Sequence, residues 1–361
     1  MTNRLQSMTP NRGSFPQLDA DNGESPATRP LRVVAIGGGT GLSTLLRGLR
    51  RHVTAPNQPS AAQGLIADLA AVVTVTDDGG SSGRLRKGFN MLPPGDLRNC
   101  MVALSEEEDM LARLFAHRFR GGDSLKGHNF GNLFVAALTE ITGDFGQAIQ
   151  LASKILATRG RIYPVTTANT TLVARMDDGS LVRGETKITA SQKRIAELML
   201  DPPDAAPLPE TLEAIERADL ITVGPGSLYT SLITNLLVQG IPAALVSARG
   251  IRVYICNLMS QANESLGLTA SEHIERIYEH TRASIFDYAL VNTAPFLPET
   301  LARYAAVGAS PITPDIERIE ALGVHCIGGD FASEESVVRH AASRVTGALL
   351  ALGRTAPARR G

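Results

Sequence analysis

No excess charge of either sign marks this chain: 35 basic residues against 36 acidic ones leave a formal net charge of -1. It therefore has no global field to attract DNA, RNA or an anionic membrane, and any anionic ligand must be held locally. Cysteine is scarce. Cys100, Cys256 and Cys326 are widely spaced and form no C-x-x-C pair, the pattern of buried, reduced thiols in a reducing compartment. No stretch approaches the ~20 apolar residues of a membrane span, and the N-terminus lacks the apolar segment of a secretory leader. A cytoplasmic protein without a membrane span is expected. His52, His117, His273, His280, His325 and His340 show no ligand spacing, so no zinc site is expected either. What is present is ordinary for a folded protein: 43% hydrophobic and 20% charged residues over 361 positions, enough for a sizeable core.

Residues 1–30 are rich in Pro, Asn, Ser and Asp without periodicity and read as a tail, as do residues 353–361. The intervening 31–352 read as one α/β domain. Its first element is the β-rich run 32–36, which stops at glycines; Leu42, Leu45, Leu46 and Leu49 then recur at helical spacing. Strand, glycine loop and helix in that order open a βαβ unit. A second strand is expected at 70–75, after a polar loop at 54–64. Helices are expected at 97–104, 110–119, 133–141 and 148–157. The period then changes, and 171–175 and 181–183 flank an Asp-Asp-Gly-Ser turn, the pattern of a hairpin. A small β-containing insertion is placed at about 161–200. Four prolines between 201 and 209 mark a linker. Helix 212–217, strand 220–223 and helix 227–238 follow, with core strands at 243–246, 253–256 and 288–291 and helices near 270–282 and 336–352. Strands alternating with helices imply a mainly parallel sheet covered on both faces.

The chemistry concentrates in the loops. Gly37-Gly38-Gly39-Thr40-Gly41 joins the first strand to its helix, where glycines let the backbone approach a phosphate and the helix N-terminus favours an anion. It is not a P-loop, because no Gly-Lys-Ser/Thr follows, and Leu42 breaks the G-x-G-x-x-G register of a dinucleotide fold. Asp77-Asp78-Gly79-Gly80-Ser81-Ser82 follows the second strand, and adjacent Asp77 and Asp78 cannot both point the same way. One is assigned to the ligand or Mg²⁺ and the other to positioning the loop. In Pro94-Gly95-Asp96-Leu97-Arg98-Asn99, Asp96 stands where an N-cap would sit. Arg98 opposes the helix dipole in the first turn, and a ligand phosphate would account for it. Gly127-His128-Asn129-Phe130-Gly131-Asn132 offers an imidazole and two amides before an apolar helix. Gly224-Pro225-Gly226-Ser227-Leu228-Tyr229 repeats the first loop's logic after strand 220–223, and Asn257 reaches the same rim. Two such loops at the carboxyl ends of one sheet mark the place where open α/β folds bind ligands.

In this order and spacing the segments IGGGTGLS, TDDGGSSGRLR, LPPGDLRNC, GHNFGN, ADLITVGPGSLYTS and VYICNLMSQ resemble the bacterial gluconeogenesis factor family. That family is related to 2-phospho-L-lactate transferase of deazaflavin cofactor synthesis. The resemblance runs from about residue 32 to 330. It implies a Rossmann-like three-layer α/β/α sandwich, a UDP-sugar or other nucleotide ligand such as UDP-N-acetylglucosamine, and a role in carbon metabolism and cell shape. It also implies a regulatory or cell-wall-synthesis protein partner, and a homo-oligomer is expected. Phosphate-loop roles fall on Gly38, Gly39, Thr40, Gly41, Gly224, Gly226 and Ser227. The remaining site roles fall on Asp77, Asp78, Gly79, His128, Asn129 and Asn132, with Ser81, Ser82, Arg98, Asn99, Tyr229 and Asn257 as further candidates. Two departures stand out: Ala262-Asn263-Glu264-Ser265 where the family commonly has Pro-Gly-Glu-Thr, and Arg252 where it usually has Lys.

Two functions compete. A non-catalytic regulator would sense nucleotide-sugar occupancy; a phosphotransferase would use Mg²⁺ on Asp77 or Asp78 to neutralise the transferred phosphoryl group. A deazaflavin acceptor favours an aromatic-lined pocket, and a chain with no Trp and 4% aromatic residues leans toward the regulator.

Overall fold

A computed structural model of the chain describes residues 29–54, 64–105, 110–261 and 264–355. Residues 1–28 of the expected N-terminal tail, most of the 54–64 loop and residues 356–361 lie outside these residues, whereas 353–355, expected as tail, are helical. So do Ala262 and Asn263.

The elements follow one another as βα units with one interruption. β1 (Leu31–Gly37) is followed by α1 (Gly39–Arg50), whose Leu42, Leu45, Leu46 and Leu49 are all buried. β2 (Ile66–Val73) precedes a run of helices: α2 (Gly80–Phe89), α3 (Gly95–Leu104), α4 (Met110–Ala116), α5 (Phe130–Thr142) and α6 (Phe145–Ile155). β3 (Arg161–Pro164) closes this half. A small sheet then interrupts, made of β4 (Thr171–Met176), β5 (Leu181–Arg183) and β6 (Ile195–Asp201), with α7 (Glu185–Thr189) between the last two. The second half runs through α8 (Pro209–Arg217), β7 (Leu220–Val223), a π-helix Leu228–Ile233, α9 (Thr234–Leu236) and α10 (Ile241–Ser247). β8 (Ile251–Ile255), α11 (Ala270–Thr281), β9 (Tyr288–Asn292), α12 (Pro298–Ala305), α13 (Ile316–Ala321) and β10 (His325–Gly329) follow. The hairpin β11 (Ala332–Glu334) and β12 (Val338–His340) leads into α14 (Ala342–Thr355).

Seven strands form one sheet in the order β10-β9-β8-β7-β1-β2-β3, with all neighbours parallel. Helices cover both faces, so central strands are apolar on both sides: every residue of β7 and β8 is buried. The architecture is the expected α/β fold with a small antiparallel insertion. From β1 the first half of the chain moves outward through β2 to β3, and the second half moves the opposite way through β7. The crevice at the carboxyl ends of β1 and β7 is therefore the topological switch point, where neighbouring loops diverge and leave room for a ligand.

Four local readings change. The apolar run 243–246, expected as a core strand, belongs to α10. Gly240 takes a left-handed conformation there and Pro242 occupies the first turn, and burial of Ile241 and Leu245 follows the helical i, i+4 spacing rather than alternation. The insertion begins later than expected, because 161–164 is the edge strand of the main sheet and the separate sheet occupies 171–201. Residues 338–340 form a strand, so the C-terminal helix starts at Ala342 rather than near 336. The helix after the Pro-Pro pair starts at Gly95, with Pro94 in the cap position, so Asp96 is not its N-cap.

Arg252 is the largest fully buried side chain. It forms a two-pronged ion pair with Asp287, Nη2 to Oδ1 at 2.8 Å and Nε to Oδ2 at 3.0 Å, and its Nη1 donates to the Leu245 carbonyl at 3.0 Å. The planar guanidinium can serve three acceptors at once, which an ammonium cannot do in the same geometry. This pair ties the start of β8 to the segment entering β9, at the sheet end opposite the switch point. The arginine that departs from the family's lysine is thus a core residue, remote from the glycine loops. Removing Asp287 leaves a buried guanidinium without its carboxylate, so Asp287→Ala should cost about 3–5 kcal/mol. Urea denaturation checks this; a loss below about 1 kcal/mol would mean the pair contributes little.

Candidate functional site

The two glycine loops meet at the switch point and are fitted to each other. A Cβ on Gly41 would lie 2.4 Å from the Pro225 carbonyl oxygen, and one on Gly38 would lie 2.7 Å from Thr74 Cγ2 and 2.8 Å from Asp96 Oδ2. Gly41 must be glycine because backbone meets backbone there, and Gly38 because two side chains close on it. Gly39, at φ +62, also needs the left-handed region. Asn235 reinforces the junction from below, donating from Nδ2 to the carbonyls of Gly37 at 3.0 Å and Ser231 at 2.6 Å. The first turn of α1 leaves N–H groups without helical acceptors; Asp96 takes that of Gly39, and the residues that carry the next ones, Thr40 and Gly41, line the crevice.

Between the loops lies a cavity of about 290 Å³, lined by Gly38, Gly39, Thr40, Gly41, Gly226, Ser227 and Asn257 among the expected residues. Gln261 Nε2 donates to Ser227 Oγ at 2.9 Å and fixes that hydroxyl. The β11–β12 hairpin closes the far side with Val338, Arg339 and His340, and Tyr304 and Met259 complete the wall. His340 is half-buried, its Nε2 lies 3.0 Å from the Cys256 carbonyl, and desolvation lowers its pKa to about 4, so it is a neutral wall group at physiological pH. Arg339 is an exposed guanidinium on this wall. It forms no ion pair among the described residues.

Carboxyl groups crowd the side of the crevice beyond Gly38. Asp96 accepts a hydrogen bond from the Gly39 N–H and is also bonded by Asn99; burial nevertheless raises its pKa to about 6. That bond joins the Pro-Pro-Gly-Asp segment to the first glycine loop, a role the sequence assigned to a helix cap. Asp77 Oδ1 accepts from the Gly79 N–H at 2.9 Å. Asp78 Oδ1 accepts from Thr186 N at 2.8 Å and Thr186 Oγ1 at 2.6 Å, and so docks α7 onto the loop. The two aspartates diverge as expected, with Asp78 as the positioning residue. Glu185, at the start of α7, reaches Thr76 at 3.5 Å, and burial beside Asp77 and Asp96 pushes it up to about 9. Glu264 accepts from Thr230 Oγ1 at 3.1 Å, and burial raises its pKa too. Its Oε2 is buried without a protein partner.

No group of three His, Cys, Asp or Glu side chains among the described residues has metal-holding geometry. Mg²⁺ is commonly held by one or two carboxylates together with substrate phosphates. Asp77 fits that use, being next to Glu185 and Asp96, whereas Asp78 is committed to Thr186.

The GHNFGN segment is brought to the DDGG loop rather than to the cavity itself. His128 Nδ1 lies 3.1 Å from Ser81 Oγ, which also accepts from Asn129 N at 3.3 Å. Asn129 is the N-cap of α5, accepting from Asn132 N at 3.2 Å. Asn132 Oδ1 in turn accepts from Arg98 Nε at 3.3 Å, so a protein amide already engages the arginine that was assigned to phosphate. Ser82 is buried beneath the loop. Tyr229 lies in the π-helix, 3% exposed, with its ring edge-on to His280 rather than lining the cavity. Sequence reasoning missed the π-helix, Glu185, Arg339 and His340; a short polar hairpin far along the chain gives no local sign that it returns to the first loop.

Comparison with known proteins shows the family and the fold. The family described as 2-phospho-L-lactate transferase CofD matches residues 33–332. The chain is 47% identical to the gluconeogenesis factor of Halalkalibacterium halodurans over 319 residues, 88% of this chain and 95% of the relative. It is 42% identical to the gluconeogenesis factor of Bacillus subtilis, covering 89% of this chain and 98% of that protein. A crystal structure of a Bacillus halodurans protein superposes with a TM-score of 0.84 at 46% identity, covering 89% of this chain and all of the other.

The raised carboxyls set a pH dependence. Glu185 titrates at about 9 when folded against 4.5 when unfolded, so the unfolded state releases its proton first. Its stabilising contribution is complete below pH 4.5 and is lost as pH rises toward 9. Asp96 acts in the same sense between 3.8 and about 6. Glu185→Gln should flatten the fall in thermal midpoint between pH 5.5 and 8.5, a window inside these values. An unchanged slope would show that Glu185 is ionised in the native state.

Proposed function

This chain belongs to the 2-phospho-L-lactate transferase CofD family, among its gluconeogenesis factors, and from that premise we propose a nucleotide-sugar-binding regulator of carbon metabolism and cell-wall synthesis. The observation that carries the reading is the convergence of two glycine loops on one crevice at the switch point, with Arg339 facing them. A UDP-sugar fits the chemistry. Backbone N–H groups of the first turn of α1, the Ser227 and Thr40 hydroxyls and the Arg339 guanidinium supply donors for a diphosphate. Asn257 and Gln261 supply amide groups for the uridine or sugar end. The carboxyl crowd favours hydroxyl-rich or cationic groups beyond the diphosphate, and Mg²⁺ on Asp77 would neutralise charge between the two regions.

That same crowd supports a second reading, a phosphotransferase, in which Asp77 with Mg²⁺ serves a transferred phosphoryl group. Isothermal titration with UDP-N-acetylglucosamine, with and without Mg²⁺, separates the two when the ligand is analysed by mass after long incubation. Binding with intact ligand is expected, and recovery of a cleaved nucleotide would favour transfer. Arg339→Gln removes one charge-assisted contact worth about 1.5–3 kcal/mol and should weaken binding about tenfold or more without lowering the thermal midpoint. Unchanged affinity in that variant would remove Arg339 from the site.

A further inference from the structure

A second group of charges lies on the other flank of the DDGG loop, outside the glycine-loop cavity. Arg84 on α2, Arg98 on α3, and Arg118 and His128 in the segment between α4 and α5 stand close enough to influence one another. Arg118 depresses Arg98, and Arg84 with Arg118 depresses His128, in each case added to the larger effect of burial. Backbone carbonyls hold two of these cations in place. Arg84 Nη2 donates to the Lys126 carbonyl at 3.0 Å and Arg118 Nη1 to the Gly127 carbonyl at 2.7 Å. Arg98 bonds the neutral Asn132 amide. None of the three arginines forms an ion pair among the described residues. Asp96 attracts Arg98 without an ion-pair contact and itself accepts hydrogen bonds from Gly39 and Asn99.

Among the described residues Arg84 and Arg118 have no carboxylate partner, and like charges so gathered repel, whereas most structural arginines are paired with carboxylates or stacked on rings. We infer that Arg84, Arg98, Arg118 and His128, with the Ser81 hydroxyl, form a second anion subsite that takes the phosphoryl group of a small ligand. The guanidiniums supply charge and forked donors, His128 supplies a ring N–H, and Ser81 couples the subsite to the DDGG loop through its contact with His128 Nδ1 at 3.1 Å. A ligand here would sit across the Asp77–Gly79 loop from the nucleotide, so the crevice would bind two anionic groups with carboxyls between them. This goes beyond the nucleotide site and does not depend on which nucleotide that site holds.

The probe is inorganic phosphate, titrated into the full chain by calorimetry and by NMR of the histidine ring nitrogens, with the His128 signal assigned using His128→Asn. Phosphate should bind and raise the His128 pKa, because an anion beside the ring favours its protonated form. The double variant Arg84→Gln/Arg118→Gln should lose about tenfold or more in phosphate affinity and lose the His128 response. Both substitutions are at exposed residues and should leave the thermal midpoint close to that of the wild type. Arg339→Glu, on the opposite wall, should keep the His128 response. The inference fails if phosphate leaves His128 unmoved in the wild type, if the double variant keeps its affinity, or if Arg339→Glu alone abolishes the response. A failure to bind UDP-N-acetylglucosamine with the His128 response intact would count against the nucleotide reading only.

Discussion

Everything at the functional end of this molecule depends on the backbone contact between two glycine loops across the β1–β7 boundary. Gly41 packs directly on the Pro225 carbonyl, and no side chain fits between them. That contact exists because the two strands are neighbours although nearly two hundred residues separate them in sequence, the consequence of a chain that runs outward from β1 in both directions. With the loops fixed, α1 presents its N-terminus to the crevice, the buried π-helix starts at the same level, and the hairpin before α14 has a wall to face. The π-helix is six residues long and entirely buried. Widened turns of this kind recur at functional sites, where they redirect the groups at a helix end.

The crevice is electrostatically divided. The β7–β8 side and the hairpin before α14 offer neutral donors and one guanidinium at the cavity, while the β2 side gathers Asp77, Asp96 and Glu185, with Glu264 reaching toward Glu185 from beside the π-helix. Two of these carboxyls, Asp96 and Glu185, have pKa values of about 6 and about 9, because burial and mutual repulsion oppose ionisation. Glu185 and Asp78 both involve the small inserted sheet and its helix, Asp78 by docking Thr186 and Glu185 by entering the crevice. The insertion is thus a wall of the site as well as an appendage, and charge or proton changes in the crevice are felt by its attachment.

Much of the site was legible because its chemistry is local. Glycines after 31–37 and after 220–223, with hydroxyls entering the next helix, announce a phosphate-type loop whatever the rest of the chain does. The divergence of Asp77 and Asp78 follows from backbone alternation alone. Other assignments changed for a physical reason: a side chain's partner can be any residue the fold brings near. Asp96 has the position of a cap and instead bonds the first glycine loop, and Arg252 is a core residue paired with Asp287. The run at 243–246 was misread as strand because four apolar residues fit either period, and the turn of chain at Gly240 decides between them.

The sequence by itself determined the α/β alternation, the two glycine loops, the hairpin insertion and the family, since each is written in residues close together along the chain. Tertiary structure decided which strands are neighbours, and therefore that the two loops form one crevice, that Arg339 and Glu185 enter it, and that Tyr229 is turned away. The division follows from range. Turn chemistry and periodicity act over a few residues, whereas burial, pairing and pKa depend on groups tens to hundreds of positions apart, which become neighbours only when the sheet is assembled.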